Sequence, residues 1–313
     1  APGPARRAVP ARMVLDVLRG VVVLVMTAVV GAGHCPGGQV PWPSTGSGME
    51  CQDATEASRD ALEFLQANMP PWDLLNNGTL QGGILGPTLN LSLAARQRYA
   101  WAAAVPRDIW LDWVLPYASV NEARSDWRQL LSSQLHPLVQ NSSSQLESLQ
   151  DVAELVNSQL WSVLRPQGPI VFKSSQTPLI YDPMSTITFG YASCTGISLL
   201  LVDALRTVGV PARLVGTPAW HGVEADGNHN WVEVWLGAGG WSFIEGQPAG
   251  PGESFENPCD KWFCNPQHFD GHTRSFAARF DRHSNDTVYP MAWDPANRHV
   301  PGVDRSHYYN RAC

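Results

Sequence analysis

One feature of this sequence constrains the fold more than any other. It is a pattern typical of a helix followed by a β-hairpin, with reactive side chains at the ends of these elements. From Thr195, apolar residues recur at intervals of three and four, which predicts a core-facing helix that ends at Gly209. Residues 230–236 alternate as in a strand, 237–240 form a Gly-rich turn, and 241–245 return as a second strand. The pattern therefore predicts a helix packed on an antiparallel hairpin.

Cys194 stands at the start of this helix, with Ser193 as its predicted N-cap. Unpaired backbone N–H groups and the positive end of the helix dipole favour a thiolate at such a position. A cysteine considered alone is more often a buried structural residue or half of a disulfide. Cys194 is therefore a candidate nucleophile only if a base lies beside it.

His229 is the candidate base, because folding about the turn brings the start of the first strand near the end of the second. The register leaves both Glu245 and Gln247 as candidates to orient its ring. Glu245 is preferred because a carboxylate also stabilises the protonated imidazole. His221, in the preceding polar loop, is the rival base, although nothing is predicted to fix its ring. The alternative is that His229 is an ordinary strand residue.

The order of cysteine, helix, histidine strand and acid strand resembles the transglutaminase-like superfamily, which shares the papain-like arrangement of catalytic groups. The matching positions are Cys194, Val210-Pro211-Ala212-Arg213, His229-Asn230-Trp231-Val232-Glu233-Val234, and Gly240-Trp241 with Glu245. The resemblance implies an α+β fold in which a helix bearing the cysteine packs on an antiparallel sheet bearing the histidine and the acid, with an N-terminal helical region. Glu245 departs from the family pattern, which usually has Asp there.

The resemblance also implies a cysteine enzyme in which Cys194, His229 and Glu245 perform acyl transfer on peptide or protein amides. The thioester at Cys194 passes either to water or to an amine. Its backbone N–H is expected to stabilise the oxyanion in part, with Trp161 and Gln176 as candidate side-chain donors. No cofactor or metal is expected: part of the family depends on calcium, but this chain has no Asp-rich ligand loop. The competing hypothesis is a catalytically silent member that binds protein or glycan.

An apolar run at 20–33 falls short of the roughly 20 residues that a membrane span needs and ends in small residues. We expect a pre-sequence and signal peptide over 1–33, with Met13 as candidate initiator, and a retained anchor is the alternative. The expected product is secreted or lumenal, without membrane contact after signal removal. A net charge of −7, with no Lys/Arg cluster, argues against a nucleic-acid partner. Sequons that agree with secretion occur at Asn77, Asn90, Asn141 and Asn285.

The other cysteines are assigned to disulfides, which an oxidising compartment favours. Two pairs would each close a small loop, namely Cys35 with Cys51 and Cys259 with Cys264. This assignment leaves Cys313 without a partner and Cys194 free. The alternative at the second pair is a zinc knuckle made of Cys259, Cys264, His268 and His272, so that a redox or zinc-binding module is a third functional hypothesis.

Composition and periodicity also divide the chain into segments. These are the pre-sequence 1–33, a Pro/Gly/Ser-rich linker 34–54, a helical region 55–165, the catalytic core 166–250 and an irregular C-terminal extension 251–313 with the Cys259–Cys264 disulfide. Within the helical region, one helix is expected to end before Pro137. A polar cluster at 113–124 is expected either to frame the mouth of a cleft or to cap an exposed helix.

Overall fold

The computed structural model describes residues 35–44, 48–175, 179–250, 255, 265–284 and 287–312. Helices are combined with a six-stranded antiparallel sheet, which confirms the predicted α+β class. The predicted signal peptide, with its alternative of an anchor, lies outside the described residues. Within those ranges, no helix has both the length and the apolar character needed to traverse a bilayer.

Helices dominate the first half of the described chain. Their bounds are α1 Ala54–Ala67, α2 Pro71–Leu74, α3 Asn77–Leu80, α4 Gly86–Arg98, α5 Ala100–Ala103, α6 Arg107–Trp113, α7 Trp127–Asn141 and α8 Leu149–Leu164. Side-chain caps set two of the starts. Asp53 accepts hydrogen bonds from the N–H groups of Thr55 and Glu56 at α1, and Ser148 forms a capping box with Asp151 at α8.

Strands and the remaining helices follow mainly in the second half. The strands are β1 Gln39–Pro43, β2 Met49–Asp53, β3 Val171–Phe172, β4 Tyr191–Ala192, β5 Ala212–Thr217, β6 His229–Trp235, β7 Trp241–Ile244, β8 Phe276–Ala278, β9 Thr287–Val288 and β10 Pro301–Asp304. The helices are α9 Pro183–Phe189, α10 Cys194–Thr207 and α11 Ser306–Ala312. The large sheet has the order β7-β6-β5-β8-β10-β9, and its neighbouring strands are all antiparallel.

Helix α10 lies in the core between the sheet and the other helices. It packs against β5 and β6 on one side and against α7, α8 and α9 on others. Residues 195–207 are all buried, so the side opposite the predicted apolar stripe is covered as well. Arg206 is accommodated there because its guanidinium donates to the carbonyl oxygens of Trp113 and Ala212, both at 3.1 Å. This packing holds Cys194 at the end of a fully enclosed helix.

The segment 34–54, predicted to be a linker, instead contains the antiparallel β1–β2 hairpin. Val40 and Trp42 are buried, and the Trp42 ring meets that of Trp110 edge-on, with 5.3 Å between the centroids. The predicted disulfide Cys35–Cys51 is confirmed. Apolar packing and a cross-link therefore order a segment whose composition is typical of a loop.

Helix α7 continues through Pro137, although the sequence predicts an end there. A proline inside a helix removes one backbone donor and usually costs about 3 kcal/mol. Leu135 and Val139, on either side of Pro137, are both fully buried. Because continuing the helix buries both side chains, packing outweighs the local penalty.

The polar cluster at 113–124 does not cap an exposed helix, because Glu122 is buried and the side chain of Arg124 is only 11% exposed. The carboxylate of Glu122 accepts the N–H of Ser119 at 2.6 Å, and Arg124 pairs with Asp73 at 2.9 Å. Helix α7 begins only at Trp127. The cluster therefore braces the turn between α6 and α7.

The C-terminal extension, predicted to be irregular, instead adds β8, β10 and β9 to the sheet beyond β5. Each of these strands has two to four residues. Strands this short leave too few positions for an alternating pattern to be detected. Cys259, Cys264 and Cys313 lie outside the described residues, so the second disulfide stays a prediction.

Candidate active site

The candidate nucleophile lies at a helix start. Cys194 is the first residue of α10, and Ser193 occupies the N-cap position as predicted. The Ser193 side chain makes no capping hydrogen bond, so it does not occupy the first N–H groups of the helix. Cys194 is not in a disulfide, and the residue as a whole is partly exposed. The residues that follow it in α10 are all buried, so the first residue is the part of this helix nearest to solvent.

The hairpin brings the candidate base and acid together. His229 opens β6 and Glu245 directly follows β7. Because Val232 pairs with Ile244, the side chains of His229 and Glu245 lie on the same face as diagonal neighbours. Nε2 of His229 lies 2.9 Å from Oε2 of Glu245, and the two residues are 3% and 0% exposed.

Gln247, the alternative partner of His229, is directed elsewhere. In the orientation that satisfies its hydrogen bonds, its amide donates to the carbonyl oxygen of Ser158 on α8 at 3.0 Å. Asn157, also on α8, receives the N–H of Gln247 at 3.0 Å and donates to the carbonyl oxygen of Glu245 at 2.9 Å. Asn157 thus fixes the chain just after β7 and leaves Glu245 facing His229.

A hydrogen bond joins the thiol of Cys194 to the ring of His229. Since Nε2 faces Glu245, Nδ1 is the nitrogen left for the sulfur. Burial opposes the thiolate, but the charge of His229 and hydrogen bonds from its ring and from the backbone of Asn230 lower the pKa of Cys194. Burial also opposes the imidazolium, yet Glu245 and Cys194 together raise the pKa of His229 to about 10. Both shifts act in the direction of a thiolate–imidazolium pair.

Two further motif residues, Arg213 and Glu233, meet across β5 and β6. Nη2 of Arg213 lies 2.7 Å from Oε2 of Glu233, and Oε1 accepts from Arg305 at 2.9 Å and from the hydroxyl of Tyr309 at 2.8 Å. Burial alone raises the pKa of Glu233, but the two arginines outweigh it and lower that pKa. These motif residues hold strands together and lie apart from the thiol. The sequence motif contained them without indicating this role.

His221, the rival base, has a fixed ring, contrary to the prediction. Its Nδ1 lies 2.8 Å from Oδ2 of Asp226, and its Nε2 lies 2.8 Å from the carbonyl oxygen of Gln267. The hydrogen bond to Asp226 is the main cause of a raised pKa for His221. Because both ring nitrogens face oxygen atoms, His221 offers no free nitrogen to a thiol.

Of the two side chains suggested as oxyanion donors, Trp161 has its N–H engaged elsewhere. Nε1 of Trp161 donates to the carbonyl oxygen of Asn157 at 2.6 Å, so its N–H is committed within α8. Gln176 lies outside the described residues. The backbone N–H of Cys194, at the uncapped start of α10, is the donor that geometry favours.

No group of three or more His, Cys, Asp or Glu side chains within the described ranges is arranged to hold a metal ion. Two of the four residues of the zinc-knuckle alternative, Cys259 and Cys264, fall outside those ranges. The ring of His268 stacks on Trp220, with 4.4 Å between the centroids. The zinc hypothesis accordingly stays a prediction.

Residues 133–245 match the family model of the transglutaminase-like superfamily. The matched range extends from the middle of α7 to the end of the hairpin and includes Cys194, His229 and Glu245. Over residues 133–245, the family model therefore agrees with the resemblance that the motifs carry. The N-terminal helices before α7 and the last three strands of the sheet lie outside the match.

Two solved structures are similar to this chain. A protein from Cytophaga hutchinsonii, described as a candidate cysteine protease, is 17% identical with a TM-score of 0.29, and the similarity covers 60% of this chain and 66% of that one. A protein described as a TGase is 16% identical with a TM-score of 0.30, covering 62% of this chain and 48% of that one. The chain thus spans about two thirds of the first and about half of the second. No curated protein sequence matches it significantly.

Proposed function

We propose that this chain is a secreted cysteine enzyme that transfers the acyl group of a peptide or protein amide through a thioester at Cys194. The proposal rests on the arrangement of three residues. The partly buried Cys194 interacts with His229, and Nε2 of His229 lies 2.9 Å from Glu245. A nucleophile, a base and a group that orients the base are the parts that covalent acyl transfer requires.

In the first half of the reaction, the Cys194 thiolate attacks the carbonyl carbon of the amide and a C–S bond forms. Negative charge develops on the carbonyl oxygen, where the N–H of Cys194 is placed to donate. The His229 imidazolium then gives its proton to the nitrogen as the C–N bond breaks, and a free amine leaves. His229 is now neutral, and the acyl group is held as a thioester.

In the second half, neutral His229 takes a proton from an attacking water or primary amine. The C–S bond breaks and the thiolate of Cys194 returns beside a protonated His229. Water yields a carboxylic acid, and an amine yields a new amide. Glu245 stabilises the imidazolium in both halves and keeps Nδ1 directed at the sulfur.

Two observations support the secreted assignment. The disulfide Cys35–Cys51 suits an oxidising compartment. Asn90 and Asn141, each in a glycosylation sequon, are exposed, as an acceptor asparagine must be. Glycosylation at these positions is part of the proposal, and mass spectrometry of protein secreted from eukaryotic cells tests it.

The test of the enzymatic proposal measures the thiol directly. Purified, non-reduced protein is alkylated with iodoacetamide between about pH 4 and 9, and the modified residue is mapped by mass spectrometry. We expect Cys194 to react with an apparent pKa well below that of a free thiol, about 8.5. His229→Ala should raise that value, and Cys194→Ala is the blank.

If Cys194 proves to be activated, the next measurement is how the acyl group divides between water and a primary amine. A glutamine-bearing protein is incubated with a fluorescent primary amine, and amine incorporation is compared with hydrolysis of the same amide. An unreactive or disulfide-bonded Cys194 would defeat the proposal and favour the hypothesis of a silent binding protein.

A further inference from the structure

A buried polar network joins the first turn of α10 to the start of β6. Nδ2 of Asn230 donates to Oγ1 of Thr195 at 2.9 Å, and the hydroxyl of Tyr289 donates to Oδ1 of Asn230 at 2.5 Å. Oγ of Ser198 donates to the backbone oxygen of Asn230 at 3.1 Å. The amide of Asn230 is therefore held at both of its ends, in a site that is 4% exposed.

This network lies directly behind the proposed catalytic pair. Thr195 follows Cys194 in the chain, and Asn230 follows His229. The hydrogen bond from Asn230 to Thr195 therefore fixes the start of β6, and with it His229, against the first turn of α10 that carries Cys194. Burial raises the pKa of Cys194, and His229 and then the backbone N–H of Asn230 lower it.

A glycine on the neighbouring strand makes room for the network. Gly216 of β5 is the ladder partner of Asn230. A Cβ at Gly216 would lie 2.3 Å from Oδ1 of Asn230 and 2.8 Å from Oη of Tyr289. Since real Cβ atoms do not approach oxygen this closely, any side chain here would displace the hydrogen-bonded pair.

Tyr289 comes from the C-terminal extension and lies outside the range that matches the transglutaminase-like family. It follows β9, and its N–H donates to the carbonyl oxygen of Val300 at 2.9 Å. Its ring is fully buried in an apolar cluster with Leu199 of α10 and Leu214 of β5. The packed ring aims a single hydroxyl at Asn230.

We infer that Tyr289 is a positioning residue for the reaction proposed above: through the side chain of Asn230 it holds the start of β6, and with it His229, against the first turn of α10 that carries Cys194. The inference rests on the proposed function and extends it, because it gives the C-terminal extension a role in the site. A merely structural hydroxyl would contribute to stability and leave the thiol unchanged.

The test compares two substitutions that each remove one buried hydroxyl. Tyr289→Phe removes the donor to Asn230. Tyr117→Phe is the matched control, because the hydroxyl of Tyr117 is also buried and donates to Oδ2 of Asp73 at 2.9 Å within the N-terminal helical region. Circular dichroism and thermal melting establish that each variant is folded before alkylation is measured.

For Tyr289→Phe we expect the apparent pKa of Cys194 to rise and its alkylation rate near neutral pH to fall about three- to tenfold, the scale of one lost hydrogen bond. Tyr117→Phe should leave both unchanged. Gly216→Ala disturbs the same network independently and should act in the same direction. An unaltered pH profile in both Tyr289→Phe and Gly216→Ala would overturn the inference.

A double-mutant cycle tests the route through Asn230. If Tyr289 acts through Asn230, adding Tyr289→Phe to Asn230→Ala should change the alkylation rate little further. Fully additive effects would overturn that route. The wild type separates the two proposals. If Cys194 is not activated in the wild type, the proposed function is refuted. If it is activated and Tyr289→Phe leaves the pH profile of alkylation unchanged, only this inference is refuted.

Discussion

Two buried carboxylates of the hairpin are paired in different ways. Glu233 of β6 and Glu245 after β7 are both fully buried. Each oxygen of Glu233 accepts hydrogen bonds, from Arg213 on one side and from Arg305 on the other. Glu245 faces His229 with one oxygen, while its other oxygen, Oε1, accepts no hydrogen bond from any residue that the structure describes.

The two environments shift the carboxyl groups in opposite directions. Burial raises the pKa of both, but two arginines reverse this effect at Glu233 and lower its pKa. At Glu245, His229 and the backbone N–H of Gly246 oppose burial without reversing it, and the pKa stays raised. The fully hydrogen-bonded ion cluster of Glu233 thus holds strands together. The incompletely hydrogen-bonded Glu245 instead leaves the charge of its partner, His229, free to change. The latter property suits a site whose histidine gains and loses a proton.

The largest expected effect concerns the histidine that Glu245 faces. His229→Ala should lower amide turnover about 10⁴-fold, because the leaving amine loses its proton donor and the thiol loses its base. Because His229→Ala also leaves the buried Glu245 without its ion-pair partner, circular dichroism first establishes that the variant is folded. Activity is measured under single-turnover conditions, with Cys194→Ala as reference. Since the two residues act as a unit, the double variant should be no slower than either single one, and additive losses would contradict the pairing.

The ion cluster of Glu233, Arg213 and Arg305 should contribute to the stability of the fold. Glu233→Ala leaves Arg213 and Arg305 without their carboxylate, and breaking such a buried pair costs about 3–5 kcal/mol in the free energy of unfolding. Urea unfolding measures the loss. Glu63→Ala, at an exposed position, is the control and should change stability by less than about 1 kcal/mol. A loss at Glu233 as small as the control would mean that the cluster does not stabilise the fold.

The same cluster predicts a pH dependence. The folded pKa of Glu233 is lowered, so its contribution is fully present above the unfolded value of 4.5 and is lost as the pH falls through the folded pKa. The wild type should therefore lose stability in acid more steeply than Glu233→Ala. Urea midpoints at several pH values between about 3 and 7 measure this.

Glu245, the incompletely hydrogen-bonded carboxylate, should affect the pH dependence of the turnover rate. Glu245→Gln removes the charge that raises the pKa of His229 to about 10, so the alkaline limb of turnover should move to lower pH. Turnover at its optimum should fall about 10²-fold. Glu245→Asp retains the charge on a shorter side chain, so its alkaline limb and its turnover should lie between those of the wild type and Glu245→Gln. An alkaline limb that stays in place would contradict the role of Glu245.

The smallest expected effect belongs to the residue that directs Glu245. Asn157→Ala removes a donor to the carbonyl of Glu245 and an acceptor for the N–H of Gln247. We expect turnover to fall about tenfold and stability by about 1–3 kcal/mol. Gln159→Ala, exposed on the same helix, is the control. A loss of stability with full turnover would make Asn157 a structural residue only.

Local patterns were enough to predict the helix that carries Cys194 and the hairpin that carries His229. In the register observed, in which Val232 pairs with Ile244, the period of two places residues 229 and 245 on one face. The same period places residue 247 on that face, so the sequence left the choice between Glu245 and Gln247 open. Asn157, which directs the chain after β7, lies 88 residues before Glu245 along the chain.

The sequence by itself determined the resemblance to the transglutaminase-like superfamily, the order of the reactive residues and the α+β class, because these depend on motif spacing and on periodicity within single elements. Tertiary structure alone decided the fixed ring of His221, the strands of the C-terminal extension and the approach of Tyr289 to Asn230. Each of these depends on contacts between segments distant in the chain, or on strands too short to carry a period. Gly216 illustrates the limit: its missing side chain has meaning only once Asn230 and Tyr289 lie beside it.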